Sequence, residues 1–308
     1  MKETEFHFKG RDGFSLYAIK WEPDNRAEPV GVVQIVHGMA EHIGRYRRFA
    51  EALTTSNFVV FGHDHRGHGQ TSGQDDLIYF DDEGGWDKVV DDVNCLHEII
   101  REDYPTLPCL LFGHSMGSFL SKCYIQRYAS DLSGVILSGT GFMPKWLARI
   151  SLWLAKRDVR KYGAKGLSQT LAPIVSQNYN KRFRPVRTES DWLSRDEAEV
   201  DRFVEDPLSG GKLTAGFYRD MLQGMSQMDD RQKCELIPHH LPILLVAGDS
   251  DPVGNFGKAI YKTKRNYEKA GLNQIDIKLY EGARHELLNE LNREEVMLDL
   301  LKWMNKWV

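Results

Sequence analysis

The chain has 308 residues, 41% of them hydrophobic and 27% charged, which is enough apolar material for one large core or two small ones. A formal net charge of -4 excludes an overall pull toward nucleic acid or an anionic membrane, so any such attraction must come from a local patch. The four cysteines form no CxxC pair, no window reaches the ~18 consecutive apolar residues of a membrane span, and MKETEFHFKG lacks the apolar stretch of a signal peptide. A reduced, cytoplasmic protein is the expectation, at most peripheral to the inner face of the membrane.

In chain order, FHFKGRDGFSLYAIKWEP from Phe6 predicts an antiparallel hairpin turning near Asp12-Gly13. Short apolar runs then recur, each closed by glycine or a polar residue: VGVVQIVHG from Val30, NFVVFGHD from Asn57, PCLLFGHS from Pro108, LSGVILSG from Leu132 and LPILLVAGD from Leu241. These are buried-strand patterns. Among them Trp86, Val89, Val90, Val93, Leu96 and Ile100 follow helical spacing and build one apolar stripe. QIDIKLYEG from Gln274 adds a strand before a closing helix through Val296, Leu300, Leu301 and Met304. Strands alternating with helices predict an α/β fold, a mostly parallel sheet of about eight strands with helices on both faces. Residues 141–234 break the alternation, being helical, aromatic and rich in Arg and Lys. They read as a helical cap inserted between two parts of the core, 1–140 and 235–308.

Gly113-His114-Ser115-Met116-Gly117 follows a predicted strand and opens a predicted helix, the context of a nucleophile elbow. Such a turn strains the serine backbone and leaves no room for side chains two residues away, which accounts for Gly113 and Gly117. A serine hydroxyl needs a base to take its proton and an acid to orient that base. Asp251, after LPILLVAGD, and His285, after IDIKLYEG, stand at the ends of the last two predicted core strands. Asp249 is the rival acid, and its competing role is to close a turn on its own loop. The oxyanion hole requires two backbone N–H groups, expected from Met116 and, in the loop HGMAEH, from Met39. Phe142, Met143 and Trp146, where the insertion begins, are expected to line the substrate pocket.

HGMAEHIGRY, DHRGHGQTSG, GHSMG, GDSDPVG and GARHELLNE, in this order, resemble the monoacylglycerol lipase and lysophospholipase group of α/β-hydrolases, within the serine aminopeptidase-like hydrolases. That resemblance spans most of the core. It implies the same triad and oxyanion residues, the α/β-hydrolase fold with a cap after the sixth strand, a carboxylic ester substrate and no cofactor. It also makes DHRGHGQTS a shaped loop with Asp64 and Arg66 in fixed hydrogen bonds. In the cap the likeness is faint, and DWLSRDEAEVDRFVEDPL is closer to bacterial lysophospholipase-like hydrolases.

Three rival readings remain beside a monoacylglycerol or lysophospholipid esterase. The same triad serves a serine aminopeptidase, amidase or thioesterase. An inactive receptor or scaffold is a second alternative, against which the full set of nucleophile, acid, base and oxyanion loop argues. His63-Asp64-His65-Arg66-Gly67-His68 has the look of a metal box, but Gly67 stands where such a box needs a ligand, and no metal is expected. Residues 141–187 hold eleven Lys or Arg against the one acid Asp158, beside Trp146, Ile150 and Trp153. The favoured reading packs the apolar side on the core and leaves the basic side in solvent; the competing one seats the cap on an anionic membrane. No nucleic-acid motif accompanies the charge, and the oligomeric state is left open.

Overall fold

A computed structural model describes residues 1–24, 28–72, 77–171 and 179–308. Eight strands form one sheet: β1 (Lys2–Lys9), β2 (Ser15–Glu22), β3 (Gly31–Val36), β4 (Phe58–His63), β5 (Cys109–His114), β6 (Gly134–Ser138), β7 (Ile243–Gly248) and β8 (Ile275–Tyr280). Their spatial order is β1-β2-β4-β3-β5-β6-β7-β8, antiparallel from β1 to β4 and parallel thereafter. The predicted hairpin is the β1–β2 pair, and Gly13 turns it with φ +80°, a conformation glycine adopts without steric cost.

The central strands β3, β4, β5, β6 and β7 are buried at every position, as their unbroken apolar runs predict. Alternate residues serve opposite faces. Val33, Ile35, Leu110 and Phe112 pack with α1 (Arg47–Thr55) and the C-terminal helix α8 (Arg293–Met304). Val32, Val36, Cys109 and Leu111 pack on the other side with α2 (Gly85–Asp103), α3 (Met116–Tyr128) and α7 (Lys258–Lys269). The predicted α2 stripe, Trp86 through Ile100, is buried throughout. All four cysteines are buried thiols, and no described helix is long and apolar enough to cross a membrane.

Between β6 and β7 the described chain adds no strand to this sheet. It forms α4 (Lys145–Tyr162), α5 (Glu197–Glu205) and α6 (Ala215–Met228), and pairs Lys212–Leu213 with Leu77–Ile78. Residues 172–178 of this insertion lie outside the described residues, as does Gly73 of the DHRGHGQTSG motif. The insertion is not uniform in its packing. Phe217, Tyr218, Met221, Leu222 and Met228 of α6 join the same apolar cluster as α2 and α3, and a Cβ on Gly224 would fall 2.0 Å from Trp86. Both stems of the insertion meet at Lys122, a fully buried lysine on α3. Its ammonium donates to the Gly141 carbonyl at 2.9 Å, to Asp229 Oδ1 at 2.9 Å and to Thr263 Oγ1 at 3.1 Å.

Candidate active site

Ser115 is the single residue between β5 and α3, and its backbone is held at φ 52°, ψ -120°. This conformation costs a serine roughly 1–3 kcal/mol and persists because neighbours fix it. Ser115 N–H donates to the Ser138 carbonyl at 2.9 Å, while the Ser115 carbonyl accepts from Ser118 and Phe119 at 2.9 and 3.2 Å. Both flanking glycines are sterically required. A Cβ at Gly113 would stand 2.6 Å from the Gly117 carbonyl oxygen, and one at Gly117 would stand 2.0 Å from the Val36 oxygen.

Asp251 and His285 come together from the ends of β7 and β8. Asp251 Oδ2 lies 3.0 Å from His285 Nδ1, off the line of the ring N–H, and both side chains are almost wholly out of solvent. The other carboxylate oxygen, Oδ1, accepts from Val253 N–H at 2.8 Å, which fixes the acid in its loop. Burial by itself would lower the His285 pKa. The adjacent Asp251 carboxylate outweighs it, with help from Glu286 and Glu41, so the imidazole is raised above its ordinary value. His285 Nε2 is buried and has no hydrogen-bond partner among the described residues. The rival acid Asp249 instead accepts from Gly282 N–H at 2.8 Å, tying two loops together.

Aromatic rings flank the imidazole. His114 and Trp192 lie with ring centroids 4.8 and 4.9 Å from it, and Tyr179 stacks behind Trp192 at 4.4 Å. Gly139, at φ +59°, lies against the ring edge, since a Cβ there would sit 2.9 Å from His285 Cε1.

The loop His37–Ala40 runs beside the serine, with a Cβ on Gly38 falling 3.2 Å from that of Ser115. No described acceptor takes the N–H of Met39 or of Met116, and Met116 opens α3, where a helix leaves its first N–H groups unpaired. The conformation of this loop is held from beneath. The buried Glu41 carboxylate accepts from Gly38 N–H, from Tyr46 Oη at 2.8 Å and from Arg45 Nη1 at 2.9 Å. Arg45 in turn grips Glu286 with a two-pronged contact at 2.8 and 2.7 Å, and its guanidinium lies 4.8 Å from the Phe203 ring centroid. Burial pushes the Glu41 pKa up. Burial also opposes ionisation of Glu286, but Arg45 overrides it and holds that carboxyl well below its usual range.

This bridge ties Gly38, Glu41, Arg45 and Tyr46 of the HGMAEHIGRY segment to one another, and the sequence reading did not connect them to Glu286. Nor did it single out His114, Trp192, Tyr179 or Gly139. The motif spacing flagged the first group, whereas nothing local flags Trp192, which reaches His285 across 93 positions of chain.

The remaining candidates are dispersed. Phe142 and Met143 are half-buried at the start of the insertion, with Met143 against the apolar core, whereas Trp146 on the first turn of α4 is 64% exposed. Arg66 is buried between Asp92, at 2.6 and 2.9 Å, and Asp12, at 2.7 and 2.8 Å. Asp64 accepts from Ile43 and Gln70 N–H groups, each at 2.7 Å, so DHRGHG is the hydrogen-bonded loop its resemblance implies. His37, His65 and His68 bond backbone carbonyls, and among the described residues no three ligand-type side chains converge as a metal site would require.

With the geometry set out, known proteins supply the context. The family profile described as serine aminopeptidase, S33, matches residues 27–292. The chain is 30% identical over 305 residues to the monoacylglycerol lipase of Mycolicibacterium smegmatis, covering 98% of this chain and 96% of that protein. It is equally 30% identical to the human monoglyceride lipase, covering 98% and 89%. A solved carboxyl esterase from Bacillus coagulans, in complex with glycerol, superposes with a TM-score of 0.90 at 29% identity, over 100% of this chain and 99% of that one. The chain adopts the α/β-hydrolase fold and belongs to the serine aminopeptidase S33 family.

Proposed function

We propose that this carboxylic ester hydrolase cleaves monoacylglycerol- or lysophospholipid-type substrates through Ser115, His285 and Asp251. The observation that carries the reading is the buried Asp251–His285 pair, 3.0 Å apart, beside a serine held at φ 52° on a turn between strand and helix. In the first step Ser115 Oγ attacks the ester carbonyl while His285 Nε2 takes its proton; the C–O bond to the alcohol then breaks, and the imidazolium returns the proton to the leaving alkoxide. Water, deprotonated by the same nitrogen, releases the acid and restores the serine. Asp251 holds the imidazole in orientation and stabilises its cation. The N–H groups of Met39 and Met116 receive the oxyanion, a contribution on the order of 3 kcal/mol per donor. Residues 141–234 act as the cap, and Phe142 and Met143 line the acyl pocket. The glycerol-ester reading draws on what the relatives are called.

The test is turnover of p-nitrophenyl esters of increasing chain length, monoacylglycerol and lysophosphatidylcholine, with Ser115→Ala as control. Serine-dependent release of glycerol or glycerophosphocholine is expected. The family description also makes a peptidase the second reading, so aminoacyl p-nitroanilides belong in the same panel; faster cleavage of these than of esters would displace the esterase assignment. Failure of Ser115 to label with a fluorophosphonate would instead favour a non-catalytic receptor.

A further inference from the structure

Trp192 comes from the insertion, yet it is held beside His285 by the very loop that carries the histidine. The Leu193 carbonyl accepts from Glu286 N–H at 2.8 Å, and Ser194 Oγ donates to the Asn289 carbonyl at 2.8 Å. The buried Glu290 carboxylate accepts from Arg195 N–H at 3.1 Å and from Arg284 N–H at 2.8 Å. The Arg284 guanidinium donates to the Asp191 and Ser194 carbonyls. Residues 191–195 and 284–290 thus form one hydrogen-bonded unit, and Trp192, backed by Tyr179, is a fixed neighbour of the imidazole.

The two ring planes differ by 37° at a centroid separation of 4.9 Å, so indole and imidazole meet more face to face than edge to face. The face of an indole is negative and attracts a cation within about 6 Å of its centroid, more strongly where water is excluded. His285 is only 1% exposed, so the attraction here is little screened. Three carboxylates face the ring, those of Asp251, Glu286 and Glu41, the last two tied to Arg45. The neighbouring ionisable rings stay neutral. Burial holds His114 at about 3 and, with the Asp251 charge, pushes the Tyr179 phenol up to about 12.

We infer that Trp192 is a positioning residue for His285, its indole face stabilising the imidazolium that forms each time that ring takes a proton. Above its pKa the resting imidazole is neutral and the attraction is weak. In both halves of acyl transfer the ring carries the proton in the transition state, and the attraction is then at full strength. An interaction stronger in the transition state than in the ground state raises kcat rather than lowering KM. That kinetic consequence rests on the esterase reading above; the effect on the charge of His285 does not.

The test is an NMR titration of the full chain carrying isotope-labelled histidine, with the His285 signal identified by its loss in His285→Gln. Trp192→Leu keeps apolar cover but has no π face; it should lower the His285 pKa by about 0.5–1, and Trp192→Phe by less than half as much. With a soluble p-nitrophenyl ester the acid limb of kcat/KM should move to lower pH in step. Plateau kcat in Trp192→Leu should fall about three- to tenfold, with KM within about twofold of the parent. If Trp192→Leu does not fold, the parent grown on difluorotryptophan, whose ring face is less negative, should show a smaller fall in pKa that is absent from Trp192→Phe grown likewise. A His285 pKa unchanged or higher in Trp192→Leu, or unchanged with the fluorinated ring, overturns the inference. So does a Trp192→Phe no closer to the parent than Trp192→Leu, or a loss confined to KM. A parent without serine-dependent turnover would refute the esterase reading instead, and the titration would still decide the role of Trp192.

Discussion

Removing the Lys122 ammonium while keeping its aliphatic bulk, as in Lys122→Met, should destabilise the protein far more than an average substitution. The lysine is fully buried and satisfies three oxygens on three segments: Gly141 where the insertion begins, Asp229 where it ends, and Thr263 on α7. The variant leaves the Asp229 carboxylate buried without its counter-charge, and breaking one side of such a pair costs about 3–5 kcal/mol. Unfolding entropy scales to about 0.65 kcal/mol/K for a chain of this size, so the expected fall in Tm is about 5–8 °C. Replacing both partners, Lys122→Met with Asp229→Leu, removes the stranded charge and should recover most of the loss. Thermal unfolding followed by circular dichroism for the two singles and the double measures the coupling. A single-variant loss below about 1 kcal/mol, or a double no more stable than Lys122→Met, would refute the reasoning.

Three further outcomes are expected. Gly139→Ala puts a methyl group 2.9 Å from His285 Cε1 on a backbone at φ +59°; it should lower kcat/KM for a soluble ester at least about tenfold in a protein that still folds, and near-parental kcat/KM would show that the ring can move aside. Glu286→Gln removes a negative charge that helps to raise the His285 pKa, so the acid limb of the kcat/KM profile should shift to lower pH; an upward shift would contradict the electrostatics. Burial holds His37 and His65 well below the ordinary histidine value, His63 and His114 at about 3, and His68 and His97 at about 4. Below about pH 6.5 the unfolded chain binds protons that these rings refuse, so stability is complete above that pH. It should fall on acidification toward pH 4, at up to about 1.4 kcal/mol per pH unit for each ring. Urea midpoints that stay level from about pH 7 to about pH 5 would rule this out.

The strands and the residues that meet at their ends were legible because each is a local pattern. An apolar run of four residues, Cys109 to Phe112, closed by glycine defines β5, and the spacing of two glycines around Ser115 is dictated by backbone contacts at 2.6 and 2.0 Å. Asp251 was separable from Asp249 by loop position, and the structure sets the latter to bracing Gly282. The supporting bonds were not legible. Arg45 meets Glu286 across 241 positions and Lys122 meets Asp229 across 107, and no periodicity records a pairing between such distant residues. Composition likewise revealed the cations and tryptophans of α4 but not which way they face. The favoured expectation was an apolar side packed inward; Ala148, Leu152, Leu154 and Ala155 do pack inward, while Trp146 and Trp153 stand outside. α6 also departs from a simple lid, because its large apolar residues belong to the main core.

The stack of Tyr179, Trp192 and His285 supplies an optical handle on the centre of the site. An indole is quenched more strongly by an imidazolium than by a neutral imidazole, and the two rings here lie 4.9 Å apart with their planes 37° from each other. The emission that disappears in Trp192→Phe is therefore a reporter of the charge on His285. Followed during a pH titration or a stopped-flow turnover, it would register proton gain and loss at that ring without any added label.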